Sequence, residues 1–432
     1  MCSRLLAFAA ALLLASPLAA DNPYPWLAPR SSQPPVLPEI FVTTESIVKR
    51  NDWLAIDARQ DDAYATAHIP GALQLGRTAD RPWQQVDDLR AALSQAGLTG
   101  RERLLLYGNA RSRQRLGRLF WLLEWAGFAE PKVLSGGFEA WLAAGQPVAS
   151  GRELRPPQNF VSGAHLETTV DVVWLRHSFG EAGIELLDLR DRTDWTTSDY
   201  EVPPAFGDGH VPHSLPFVFS TLLTQADGWP EPAEVRRRLR ALGPRPGDRV
   251  DLDSTFVLIG RDGSDPEPGL GYLLLRSAGI EVRILGGGWQ AWISDRTLPV
   301  VRVVNAAELR ELIEVGNPDL DHDSAPGLLL FDGRSEAAFA RGHLPGAISL
   351  PAHRFAAGIE RMIAERGEDL DPQSATLVFY CYGRDCVRSR TSSTIAARYG
   401  FRKLLWFRDG EIAWREAGYP FFASTVASGN PP

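Results

Sequence analysis

The chain has 432 residues, 44% of them hydrophobic and 23% charged, an ordinary globular composition with enough apolar residues for real cores. A formal net charge of −8 and a sequence pI near 5.6 argue against nucleic acid as a partner. Three cysteines, one of them Cys2, are too few for a disulfide framework, so stability has to come from packing.

In chain order, residues 1–20 read as an export signal. Arg4 sits in a short basic region, LLAFAAALLLA follows, and the small residues SPLAA end before Asp21. That apolar core is too short to span a bilayer, Cys2 follows no lipobox, and no later stretch is long and apolar enough to cross. The expectation is a soluble exported protein with no stable membrane insertion, periplasmic in a Gram-negative source. An uncleaved N-terminal anchor is the alternative. Residues 21–36, with the stretch NPYPWLAPRSSQPP, read as a linker.

The rest repeats itself. WLAIDARQDDAYATAHIPGALQL (53–75) matches LLLFDGRSEAAFARGHLPGAISL (329–351), and Asp57 to His68 spans the same eleven positions as Asp332 to His343. A third copy, from Asp188 to His210, is stretched by an insertion. Downstream, RLLLYG, TFVLIG and TLVFYC read as buried parallel strands ending at Gly108, Gly260 and Cys381. The stretch after them has helical spacing in the first and third copies. VLSGGFEAW, ILGGGWQAW and WFRDGEIAW then close each copy, placing Trp141, Trp292 and Trp414 33, 32 and 33 residues after those strand ends. The glycine of each suits a tight turn and the tryptophan a core. Three α/β domains follow, at 37–150, 160–300 and 301–424, each a parallel sheet flanked by helices.

The chemistry concentrates in LVFYCYGRDCVRSR (377–390), which holds both remaining cysteines, Cys381 and Cys386. This loop leaves a strand and opens a helix, where α/β sheets present ligand sites. His68, His210 and His343 read as structural hydrogen-bonders in turns, and Asp57, Asp188 and Asp332 as ties at strand ends. No cluster has metal-ligand spacing, and no cofactor is implied.

The Asp-x-Arg…His-x-Pro-Gly-Ala element, the strand–Cys loop–Arg-Ser–helix and the closing Gly…Ala-Trp resemble the rhodanese (sulfurtransferase) family, over nearly the whole chain after residue 36. The resemblance implies three tandem rhodanese-like domains and a catalytic cysteine at the end of the central strand, here Cys381. Gly108 and Gly260 stand at that place in the first two copies, so only the third resembles an active rhodanese. Family loops run Cys-x4-Arg; this one runs Cys-x6-Arg to Arg388 and carries Cys386 as a possible second thiol. The spacing also differs from the Cys-x5-Arg loops of related phosphatases.

Backbone amides at the helix start, with Arg384, Arg388 and Arg390, would stabilise a thiolate and a dianion. Gly383 permits close backbone approach. The substrate-binding set is Tyr382, Gly383, Arg384, Asp385, Val387 and Arg388; Arg390 reads as a solvated helix face. The implied reaction moves sulfane sulfur from a thiosulfate-like anion to a thiol or other acceptor through a Cys381 persulfide. Two alternatives stay open. One is a thiol–disulfide redox protein cycling Cys381 with Cys386; the other is a non-enzymatic scaffold, since two of three copies lack the nucleophile.

Overall fold

The structure is a computed structural model that describes residues 39–50, 52–190, 209–223, 228–242, 250–316, 328–384 and 386–422. Residues 1–20, read as an export signal, and 21–36, read as a linker, lie outside the described residues, as do the insertion at 191–208 and Asp385.

Three sheets recur in succession. The first contains β1 (Phe41–Val42), β2 (Trp53–Asp57), β3 (Leu73–Gln74), β4 (Arg103–Tyr107) and β5 (Lys132–Leu134). The second contains β6 (Thr169–Val170), β7 (Ile184–Asp188), β8 (Ser214–Pro216), β9 (Thr255–Ile259) and β10 (Val282–Leu285). The third contains β11 (Val300–Val303), β12 (Leu328–Asp332), β13 (Ala347–Ser349), β14 (Thr376–Tyr380) and β15 (Lys403–Phe407). Strand order is the same in each: β1-β5-β4-β2-β3, β6-β10-β9-β7-β8 and β11-β15-β14-β12-β13. Every pairing within them is parallel. Helices cover both faces, which is why the central strands are continuous apolar runs rather than alternating ones. β4, β9 and β14 are each buried except at their first residue.

The helices leaving these central strands are α1 (Arg113–Ala126), α2 (Glu267–Ser277) and α3 (Val387–Arg398); α4 (Gly410–Glu416) closes the third copy. The sequence pattern suggested the first and third only. α2 forms because its prolines, Pro266 and Pro268, stand at the N-cap and in the first turn, where the missing N–H has no intrahelical partner.

The first two domains share a single apolar core running from Ile40 to Ile284. α1 and α2 cross at glycines: a Cβ on Gly117 would lie 2.6 Å from Leu270 Cα, and one on Gly269 2.4 Å from Arg118 Cα. Buried Glu124 accepts from Tyr272 Oη at 2.7 Å and from Arg276 at 3.2 Å across the same seam.

The third domain meets the second differently. One stripe of α3 leans on it: Arg390 donates to His213 O at 2.5 Å, Thr394 packs on Gly180, and Arg398 reaches Gly180 O and Glu181. Arg390 is therefore half-buried against a neighbouring domain rather than on a solvated face. The helix that opens at the cysteine loop uses that side as its contact surface.

Candidate active site

The positioning begins at the end of the second strand of each sheet. Asp57, Asp188 and Asp332 are buried, and each accepts the backbone N–H and the guanidinium of the arginine two residues on. Arg59, Arg190 and Arg334 each then donate to a carbonyl just before the histidine, at Ala67, Gly209 and Gly342. The histidines pair through their backbones with Ala149, Val301 and Phe422, beyond the closing helices. His68 and His343 point Nδ1 at Tyr64 O and Phe339 O. Burial pushes the His210 imidazole down to about 3. None of the three lies at the cysteine loop; they brace the strand–loop–closing-segment connection.

A tyrosine completes the clamp in the third domain. Tyr380 Oη donates to Asp332 Oδ2 at 2.6 Å and accepts from Leu344 N at 3.2 Å. Burial, followed by the Asp332 charge, holds that phenol well above its ordinary value, so it stays a donor. Tyr107 does the equivalent in the first domain, and Ile259 replaces it in the second.

The central strands end against the closing helix. Gly108 O, Gly260 O and Cys381 O accept the backbone N–H of Phe138, Trp289 and Glu411 at 2.8–2.9 Å. Only glycine fits the neighbouring position: a Cβ on Gly137, Gly288 or Gly410, all at positive φ, would sit 2.1, 2.6 and 2.4 Å from those carbonyls.

Beyond this shared frame each loop is clasped differently. In the first, Asn109 Oδ1 accepts from Arg111 N and Ser112 N, while Ser112 Oγ accepts from Asn109 N. A shallow open pocket lies there, lined by Gly108, Asn109, Arg113, Gly137, Glu139 and Trp229 among others, with no nucleophile in its wall. In the second, Asp265 and Asp262 take the amides of Arg261, Glu267 and Ser264. Carboxylates thus occupy the place where an anion would be held. In the third, Cys381 and Cys386 are joined by a disulfide, their Cα atoms 6.3 Å apart.

Cys381 is fully buried at the end of β14; Cys386 is partly exposed and is the N-cap residue of α3. The first turn of α3 carries no acidic residue, so the positive helix end faces the sulfurs unopposed from its own side. Tyr382 is exposed at the rim, and Gly383 is buried with its O accepting from Cys386 N at 3.0 Å. Val387 is the first residue of α3, and exposed Arg388 lies 5.7 Å from the centre of the Tyr382 ring. Arg384 turns to Asp409 at 2.8 Å, on the far side of the loop from α3. The structure thus brings Cys381, Cys386, Tyr382, Gly383, Val387 and Arg388 together in one strand–loop–helix turn, and sets Arg384 in an ion pair at its edge.

The sequence reading missed the other wall. WFRDGEIAW departs from its two siblings where it faces this loop. Asp409 takes Arg384; Ile412 Cδ1 would meet a Cβ on Gly383 at 3.2 Å; Glu411 pairs with Arg334. In the other domains the arginine meets a ring instead, Arg59 at 3.8 Å from Phe138 and Arg190 at 4.0 Å from Trp289. Burial opposes the charge of Arg334, yet the Asp332 carboxylate holds it above its ordinary value. The departure itself was the available signal.

Among the described residues no group of side chains is arranged to hold a metal ion, and no helix is long and apolar enough to cross a membrane.

Comparison with known proteins agrees with the repeats. The family described as Rhodanese-like domain matches residues 43–144, 171–295 and 305–417. A probable 3-mercaptopyruvate sulfurtransferase of Pseudomonas aeruginosa is 26% identical over 272 residues, 58% of this chain and 92% of that protein. A thiosulfate sulfurtransferase of Azotobacter vinelandii is 26% identical over 270 residues, 58% and 91%. Against the crystal structure of SseA from Escherichia coli the fit is loose, TM-score 0.46 at 19% identity over 58% of this chain and 99% of that one, and the family assignment does not lean on it. With three matches that fall on its three parallel sheets, the chain belongs to the rhodanese-like domain family.

Proposed function

We propose that the protein is a sulfurtransferase whose one catalytic site is the Cys381 loop of the third domain. The observation that carries this is positional. The same strand end occurs three times in the same frame, and it holds a thiol once, at the positive end of a twelve-residue helix. Sulfurtransferase relatives support the reaction class. Cys381 as thiolate attacks the outer sulfur of a thiosulfate-like dianion; the sulfur–sulfur bond breaks, sulfite leaves with the electron pair, and a persulfide remains for a thiol acceptor. Backbone amides at the start of α3 and Arg388 bind the departing anion, and Tyr382 borders the entrance. Asp385 is retained in the substrate-binding set on sequence grounds alone. No cofactor is required. The first two domains carry glycine at the reacting position, and the second holds the third along α3.

The disulfide favours a second reading, thiol–disulfide exchange by Cys381 and Cys386. Export, proposed from residues 1–20, would put the pair in a compartment where it forms. The test is the intact mass of the reduced protein after thiosulfate, with sulfite measured alongside. Sulfite release that is lost in Cys381→Ser supports transfer; sulfite release retained in Cys381→Ser rejects it.

A further inference from the structure

We propose that Cys386 is a resolving thiol that takes the persulfide of Cys381 on to sulfide, so that the third domain releases HS⁻ and rests as a disulfide. The proposal deepens the sulfurtransferase reading and depends on it.

The geometry points there. Cys381 is fully buried while Cys386, bonded to it, is partly exposed, so the sulfur nearest the inner one belongs to the chain itself rather than to an external acceptor. Both backbones are fixed. Cys381 O is held by Glu411 N at 2.9 Å and packed against Gly410; Cys386 N is held by Gly383 O at 3.0 Å and caps α3. Their Cα atoms, 6.3 Å apart, fall within the span a disulfide bridges without backbone movement. Two groups held this way react as one unit, at an effective concentration that a dilute acceptor does not match. The cap position serves the same end. The N-cap falls five residues after Cys381, against four after Gly108 and six after Gly260, and here it is a second cysteine. The other two loops spend that place on side-chain oxygens, Asn109 with Ser112 and Asp262 with Asp265.

The step balances. The Cys386 sulfur attacks Cys381 Sγ and forms the Cys381–Cys386 bond. The bond from Cys381 Sγ to the outer sulfur breaks, and that sulfur leaves as HS⁻ with the electron pair and the proton of the Cys386 thiol. The sulfane sulfur is reduced and the two cysteines are oxidised. A dithiol reductant, of small-molecule or protein class, then restores the pair by exchange. Turnover therefore requires a sulfane donor and a dithiol together, and yields sulfide rather than a sulfur-loaded acceptor.

The test uses full-length reduced protein, freed of reductant and mixed anaerobically with thiosulfate, with sulfite, sulfide and intact mass all read. The expected result for the wild type is about one equivalent each of sulfite and sulfide, leaving a protein two hydrogens lighter than the reduced form. Cys386→Ser should release sulfite, release no sulfide and keep one added sulfur. A wild type that also keeps the added sulfur and releases no sulfide overturns the resolving role while leaving transfer intact. Absence of sulfite from both proteins overturns transfer itself, and the resolving role with it.

Discussion

Asp332 shows how much one residue decides. It accepts from Arg334 N, Nε and Nη2 and from Tyr380 Oη, all inside the core, and so fixes two strand ends and the loop that follows. Removing its charge leaves a buried guanidinium short of a partner. Asp332→Asn is expected to lower unfolding free energy by about 3 kcal/mol, at the low end for a broken buried pair, because Glu411 still faces Arg334. Asp57→Asn should cost more, about 5 kcal/mol, since among the described residues Arg59 faces the Phe138 ring where Arg334 faces a second carboxylate. Denaturant titration of both variants checks the order; equal losses would mean that Glu411 gives Arg334 no relief. The aspartates and histidines were legible as structural ties because they recur at the same strand ends and turns in each copy, eleven residues apart in two of them. Arg390 was misread, because a helix-face arginine looks the same in sequence whether water or another domain covers it.

At the scale of elements, the site is a strand end pressed against a helix start. Gly410 is at φ +64° and a Cβ there would lie 2.4 Å from Cys381 O and 2.8 Å from Gly383 N, both backbone atoms that cannot swing away. Gly346 shares the backbone conformation, φ +69°, with nothing within 4 Å. Gly346→Ala should therefore cost only the left-handed penalty, about 1–2 kcal/mol, and keep sulfur transfer. Gly410→Ala should cost that and also displace the cysteine loop, cutting transfer by an order of magnitude or more. Thiosulfate-dependent sulfite release by the two variants, each still folded by circular dichroism, makes the comparison; equal activity would dismiss the idea that the closing turn sets the loop. Strands and loops were readable from apolar runs bounded by glycine. α2 was not, because its two prolines break the pattern on paper while sitting where a helix tolerates them.

For the whole molecule, the three domains are joined by two unlike contacts. The first pair is fused through the α1–α2 crossing, where backbone meets backbone at Gly117 and Gly269. Gly117→Val should overpack that seam, cost about 1–3 kcal/mol, and split the joint calorimetric transition expected of the first two domains into two. A single transition at an unchanged temperature would show that the crossing does not couple them. The third domain joins through polar contacts from Arg390 and Arg398 on the helix that begins at Cys386.

By itself the sequence determined the number of domains' worth of repeat, the parallel α/β class and the one strand end that carries a thiol. It could do so because those features are periodic, local or chemically singular. Only the tertiary structure decided that Cys381 and Cys386 meet, that Arg384 is drawn to Asp409, that Glu411 replaces an aromatic ring over Arg334, and that Arg390 faces another domain. Each of these joins residues far apart in the chain or depends on a loop's path, and the direction of a side chain follows from packing that residue spacing does not encode.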